Sequence, residues 1–522
     1  MAISVDKKSA ETPIYELLTL TTVNGQQIDV LTQMLNMEIY EDIFSPVITG
    51  SITLLDNINL FYKLPICGEE KLTVKFRSWN YDPAGNQRVN YFHRTFDIIK
   101  ITNVNQLTDY SMQYTLQFAS PELKKNETTH ISKAFKSQTI SKIVANIMTN
   151  DYDVDEPTGL GFPTEELNEP WVRSPFVSDN DIEVQYQKID EDDSVELFVE
   201  KTKYEEPCIT IPYMKPFEII NWLSQRAMRN SAGRAKQSAS QDSANFLFFE
   251  NKRGFNFVSI DTLLENKENI NTEFSFGNGV QNQSTSCGMG VVTDTIDTLD
   301  IQDCYDVLTN IRNGMYASKL YSYDLYTGET YEKDYDYLKT FPNTESTDRG
   351  LKNSPLVQFW GENIGDFPLM KLDNKGENPL TKKPLSKRMF NVFNPSGGVD
   401  VVTSDQTERN CIIREELGAQ AYVQKRLSQL ARWAIFRIIM TVAGNSVHTV
   451  GNVVKLDLKD FAFRGNYTDF TEKDSNFYNG YYLITSLRHS LTKDKYQMTM
   501  EVARDSSTSI ITNPKELSND VT

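Results

Sequence analysis

The sequence predicts an α+β chain that is mostly β: two antiparallel β-domains, a mixed helix-and-hairpin domain between them, and a loop-rich insertion. Three observations carry that reading. In residues 480–504, GYYLITSLRHSLTKDKYQMTMEVAR, Tyr496, Met498, Met500 and Val502 alternate with Gln497, Thr499 and Glu501 after a short polar turn. A period of two places apolar side chains on one face of a strand and polar ones on the other. Residues 96–120, FDIIKITNVNQLTDYSMQYTLQFAS, carry the same pattern, with Tyr110, Met112, Tyr114 and Leu116 alternating against Ser111, Gln113 and Thr115. Any two amphipathic hairpins share this much, so duplication and coincidence both stay open on the pattern alone. Finally, 522 residues are several times an ordinary domain of roughly 100–150 residues, so two to four domains are expected.

Taken in order, residues 14–120 alternate almost throughout: runs flanking Val23-Asn24-Gly25-Gln26, then MLNMEIYEDIF, VITGSITLLD, EEKLTVKF and the hairpin above. About six short strands with polar turns fit a barrel or a sandwich. After Pro121 the period changes. Ile140, Ile143, Val144, Ile147 and Met148 mark an amphipathic helix that Ser137 could cap, and Pro216 opens a second one bearing Phe217, Ile220, Leu223 and Ala227. Residues 149–212 read as loop with one strand near 181–189, and the small polar stretch 231–243 reads as an exposed loop. FLFFENKRGFNFVSI is a hairpin turning at Asn251 to Gly254. A short helix and a Tyr-rich strand to about Tyr326 come next, then a Pro/Asn/Gly/Lys-rich passage from Phe341 to Val402. A helix over 415–430 leads into a strand at 433–442, another at 453–458, and the final hairpin. Asn479-Gly480, a strong hairpin-turn dipeptide, implies a strand before it. The division expected is a tail 1–13, a first β-domain 14–120, a mixed domain 121–270, a second β-domain 271–335 with 405–505, an insertion 336–404 and a tail 506–522.

Aromatic residues at 11%, including 25 Tyr and 28 Phe, favour β structure and large interfaces. A net charge of −18 argues against a general nucleic-acid binder, which needs basic stripes to displace counterions from phosphates. Passage of nucleic acid is a different matter, since every Lys or Arg on a conduit wall would retard the strand. MAISVDKKSAETP lacks the apolar core of a signal peptide, and the most apolar run, 433–443, is short and broken by Arg437, so no membrane span is expected. The five Cys are scattered and read as reduced, buried thiols.

Catalytic, cofactor and metal sites are not expected. Asp190-Glu191-Asp192-Asp193 reads as a solvated acidic loop. Asp151, Asp153 and Asp155 have the opening spacing of a calcium loop, but Glu156 replaces the turn Gly and Phe162 the bidentate Glu. His93, His130, His448 and His489 lie far apart and read as interface or surface residues. The Gly-rich residues 277–290 lack the Gly-Lys-Ser/Thr ending of a phosphate loop, and there is no Gly-x-Ser-x-Gly elbow.

The order of parts, namely β-domain, IVANIM helix, PFEIINWLSQRA, FLFFENKRGFNFVSI, RNGMYASKLYSYDL, then IIMTVAGNSVHTVGNVVKLDL and GYYLITSLRHS, resembles the central baseplate hub protein of contractile-tailed bacteriophages. The T-even type is the nearer likeness, the N-terminal part of type VI secretion spike proteins the more distant. The resemblance covers most of residues 14–504 and rests on element order rather than on a catalytic motif. It implies two tube-like antiparallel β-barrel domains per chain, a homotrimeric ring of pseudo-sixfold symmetry between hexameric tail tube and trimeric central spike, and a structural, non-enzymatic role in the virion. Implied partners are the spike, a tail tube or tube-initiator protein, a tape-measure protein, neighbouring baseplate proteins, and passing DNA without sequence-specific binding. Under that reading Gln113, Thr115 and Gln117 with Gln497, Thr499 and Glu501 are candidates to line the channel. Rival readings are the hub or spike base of a phage-derived contractile injection system, a virion-associated cell-wall-degrading enzyme, and a receptor-binding module. The insertion departs from the family's needs, so none of its contacts carry over.

Overall fold

A computed structural model describes residues 12–63, 66–78, 91–149, 159–162, 182–190, 193–229, 243–265, 273–275, 296–304, 307–324, 330–336, 389–394, 419–433, 436–458 and 479–505. The first stretch gives β1 (Ile14–Thr21), β2 (Gln27–Asp29), β3 (Met34–Asp42), β4 (Thr49–Asp56), β5 (Lys71–Arg77), β6 (Tyr91–Thr108) and β7 (Ser111–Ala119). The middle gives β8 (Ile131–Thr139), β9 (Ile182–Asp190), β10 (Asp193–Glu200), β11 (Glu205–Met214), β12 (Phe246–Asn251) and β13 (Gly254–Ser259). Beyond these lie β14 (Glu273–Ser275), β15 (Ile296–Cys304), β16 (Ala317–Asp324), β17 (Thr330–Asp336), β18 (Met389–Asn394), β19 (Phe436–Ala443), β20 (Val453–Asp457), β21 (Gly480–Leu491) and β22 (Tyr496–Arg504). The molecule is mostly β, with a curled, half-barrel sheet and a few helices.

That sheet holds 13 described strands, in the order β15-β19-β22-β21-β3-β4-β7-β6-β5-β1-β2, with β20 joining β21 to β14. Within it one connectivity occurs twice. The antiparallel order β3-β4-β7-β6-β5 recurs as β15-β19-β22-β21-β20, again antiparallel at every step. Each copy also carries a bulge at the corresponding place: between Ile98 and Lys100 in β6, and between Ile484 and Ser486 in β21. A bulge re-aims a strand and increases its twist, so matching bulges bend the two hairpins alike. The copies are joined edge to edge by β21 and β3, which pair from Ser486↔Asp42 to Leu491↔Met37.

Alternation explains the burial. In β4, Gly50, Ile52, Leu54 and Asp56 are buried while Ser51, Thr53 and Leu55 are half-buried; in β19, Phe436, Ile438, Met440 and Val442 are buried while Arg437, Ile439 and Thr441 are half-buried. The apolar faces of both copies share one core, with each fully buried Leu, Ile, Phe or Met contributing about 1.5–3 kcal/mol. Gly50 is required by close approach: a Cβ there would lie 2.4 Å from the Phe118 ring and 2.5 Å from the Glu38 carbonyl oxygen.

The mixed region has its own core, in which β12, β13, β10 and β9 form one sheet beneath the helices Ile140–Thr149 and Pro216–Ser224. Pro216 sits at the start of its helix, where a missing N–H costs nothing, as the sequence indicates. The FLFFEN/GFNFVS hairpin pairs Asn251 with Gly254. Its strands are buried on both faces, and β13 lies parallel to β10.

Several expectations are corrected. Residues 149–212 hold three strands, β9, β10 and β11, rather than one. Alternation failed to reveal β8, whose exposed residues outnumber its buried ones; Ser137 lies inside it with φ +48° and does not cap the helix. The strand expected before Asn479-Gly480 is β20, which pairs antiparallel with the start of β21, while Asn479 Oδ1 accepts the Leu458 N–H at 2.7 Å and residues 459–478 lie outside the described residues. Cys67 is exposed. The acidic spacing at 151–155, the polar loop 231–242, the Gly-rich 277–290, residues 1–11 and 506–522 of the tails and, apart from Asp336 and β18, the insertion lie outside the described residues.

Gly50→Ala is expected to lower stability by about 1–3 kcal/mol, because neither an aromatic core ring nor a ladder carbonyl can yield. An unchanged midpoint in urea unfolding would refute this packing.

Candidate functional site on the polar sheet face

Gln113, Thr115 and Gln117 project from β7 between buried Tyr114, Leu116 and Phe118; Gln497, Thr499 and Glu501 project from β22 between buried Met498, Met500 and Val502. The register brings the two sets onto one face. Gln497 lies opposite Ser490, Ser490 opposite Glu38, Glu38 opposite Ser51, and Ser51 opposite Gln117, a single lateral row across five strands. Facing side chains across an antiparallel pair share a side of the sheet. Thr115 is 3.0 Å from the Thr53 hydroxyl, Gln497 donates to Asp297 at 3.5 Å, and Glu501 accepts from Thr485 at 3.2 Å with Arg437 at 3.8 Å. Thr115, Gln497 and Glu501 are thus engaged with neighbours in the sheet, on a face that mixes amides and hydroxyls with the charges of Asp297, Glu501 and Arg437.

Sequence reasoning did not find the middle of this row. Glu38 meets Arg488 and the Tyr40 hydroxyl at the β3–β21 joint. An exposed ion pair of this kind contributes at most about 1 kcal/mol, so it marks the joint without holding it.

The opposite side of the joint is buried and polar. Glu41, 1% exposed, accepts the Val450 N–H at 3.1 Å and the Thr449 hydroxyl, and its other oxygen lies 3.2 Å from His489 Nε2. His489 Nδ1 is 2.8 Å from the Tyr496 hydroxyl, and burial holds that phenol well above its ordinary pKa. With the Tyr496 hydroxyl at Nδ1 and the Glu41 carboxylate, an acceptor, at Nε2, the arrangement favours an N–H at Nε2 facing Glu41 and the phenol donating to Nδ1. A signal for this was present: Met37, Ile39, Glu41 and Ile43 share one parity, so a carboxylate occupies a core position.

Lys252, at the β12–β13 turn, closes the cluster from the mixed region by donating to the Ser446 and Val447 carbonyls at 2.7 and 2.8 Å. Burial pushes its pKa down to about 7, opposed by Glu41. Buried His448, beside it, is pushed down to about 3, first by burial and then by Lys252 and His489. The expectation that the histidines lie at a surface or interface therefore fails for His448 and His489, 3% and 0% exposed. A second tie comes from Glu250 of β12, which pairs with Arg94 and accepts the Ile48 N–H at 2.8 Å. Among the described residues no cluster of three or more His, Cys, Asp or Glu is placed to hold a metal ion, and no helix is long and apolar enough to cross a membrane.

No family model matches the chain. It is 21% identical over 485 residues to the "Probable baseplate hub protein gp334" of Vibrio phage KVP40, covering 92% of each chain. Among solved structures, a tail protein from Neisseria meningitidis MC58 aligns at TM-score 0.44 and 9% identity, over 94% of this chain and 96% of its own. A prophage MuSo2 tail protein from Shewanella oneidensis aligns at TM-score 0.42 and 10% identity, over 94% and 99%. Superpositions this loose carry no argument about function.

His448 gives a pH test. The fold holds it neutral down to about pH 3, whereas the unfolded chain takes up the proton near 6.5. Its contribution is present above pH 6.5 and is lost as pH falls from there toward 3, amounting to about 2 kcal/mol by pH 5. Wild type should lose that much more stability than His448→Gln between pH 7 and 5 in urea unfolding. Parallel losses would contradict the burial described.

Proposed function

Starting from the likeness to a phage baseplate hub protein along nearly the whole chain, we propose that this protein is the structural hub of a phage tail baseplate. Three copies form a ring with pseudo-sixfold symmetry, adapting a sixfold tail tube to a threefold spike around a channel for DNA. The observation that carries this reading is the recurrence of one strand order, bulge included, in the two halves of the sheet. Two equivalent units per chain offer six similar surfaces from three chains, so a sixfold ring can dock without a different contact at every site. In this reading each half of the sheet is one tube-like unit, closed into a barrel wall only by its neighbours.

The polar row through Gln497, Ser490, Glu38, Ser51 and Gln117 supports the channel assignment of Gln113, Thr115, Gln117, Gln497, Thr499 and Glu501, because it sets both groups on one face. Amide and hydroxyl side chains bind phosphates weakly, and the net charge of −18 adds no general attraction. Such a wall lets a polyanion slide. The role is structural, the location is the virion tail, and the partners are spike, tube or tube initiator, tape measure and adjoining baseplate proteins.

Native mass spectrometry of the full chain, alone and with its spike protein, should show three copies. A single copy in both samples would overturn the reading. Phage carrying Thr115→Arg and Thr499→Arg should assemble normally yet release DNA several-fold more slowly, since six added cations would grip the strand; unchanged release kinetics would remove these residues from the wall.

A further inference from the structure

The joint inside one chain has two counterparts that are left open. In the second copy of the repeat, β21 pairs with β20 over Gly480–Leu483, and its later half, Ser486–Leu491, is covered by β3. In the first copy, β6 pairs with β5 only over Tyr91–Asp97, and past Ile98 its remaining residues have β7 on one side and no strand on the other among the described residues. The edge strand β15 stands where β3 stands, paired among the described residues with β19 alone.

Burial agrees with an edge awaiting cover. Thr485, Leu487, His489 and Leu491 are at most 3% exposed under β3, whereas Ile99, Val104 and Leu107 on β6 are 48%, 45% and 55% exposed. Met37 and Ile39 of β3 are fully buried; their counterparts on β15, Leu299 and Ile301, are only partly so. A strand edge left unpaired among the described residues and bearing exposed Ile99, Val104 and Leu107 is a liability that proteins normally blunt, and this one matches a strand already carried at the opposite end of the same sheet.

We infer that β15 of one copy pairs antiparallel with the later half of β6 of a second copy, reproducing between chains the β3–β21 ladder. This rests on the ring reading above and supplies its contact. The register follows from the repeat. Ser490 faces Glu38, Asn105 stands in place of Ser490 because it pairs with Gln113 as Ser490 pairs with Gln497, and Asp300 stands in place of Glu38 because it pairs with Ile439 as Glu38 pairs with Ser51. Asn105 of one chain therefore faces Asp300 of the next, and Thr102 faces Asp303. The contact is head-to-tail, the type that closes into a ring.

Both Asn105 and Asp300 are exposed, so cysteines there leave the core alone. In full-length protein with Cys67→Ser, the Asn105→Cys/Asp300→Cys variant should, on mild oxidation, give covalent two- and three-chain species on a denaturing gel that reductant collapses. Mixing the two single variants should give two-chain species only. Asn105→Cys/Asp297→Cys, about 10 Å out of register, should stay as single chains. A threefold assembly by native mass with no linkage at 105/300, or with equal linkage at 105/297, overturns the joint and leaves the ring standing; a protein that remains one chain by mass overturns both.

Discussion

Backbone pairing between β3 and β21 brings together residues such as Glu41 and His489, 448 positions apart in sequence, and everything else in the sheet is arranged about it. Loop-closure entropy grows only with the logarithm of length, so so distant a pairing stands if the contact itself is favourable enough. The exposed Arg488–Glu38 pair cannot supply that. The buried side can. It combines Met37, Ile39, Leu487 and Leu491 with a carboxylate whose acceptors are met by Thr449, Val450 and His489. Leaving one such group unpaired costs about 1–3 kcal/mol, so the polar network fixes the register while the apolar neighbours supply the bulk of the stability.

The mixed region acts as a clamp on that joint. Through Glu250 it reaches Arg94 and Ile48 in the first copy of the repeat, and through Lys252, two residues on, it reaches the 446–447 carbonyls in the second. One short strand and the turn after it thus reach both halves through buried polar contacts.

Much of this was legible from alternation. The two hairpins, the helices at 140–149 and 216–224, and the assignment of Gln113, Thr115 and Gln117 with Gln497, Thr499 and Glu501 to non-core faces follow from periods of two and 3.6. Strand order did not, because the hydrogen bonds that set it join residues far apart in the chain. β8 was hidden because five of its residues face solvent, and the joint was hidden because its members are ordinary hydroxyl, acid and basic residues. Asn479-Gly480 pointed to a strand before β21, and β20 is that strand, paired antiparallel with its start.

The claim at the centre is that the two halves of the sheet are equivalent units around a common axis. A cryo-electron microscopy map of the isolated assembly at strand resolution tests it most directly. The account predicts six hairpins, alternating β6–β7 and β21–β22, at one radius and one tilt around a threefold axis, with the Gln497-to-Gln117 row facing the lumen. Hairpins at two different radii, or that row on the outer surface, would contradict it.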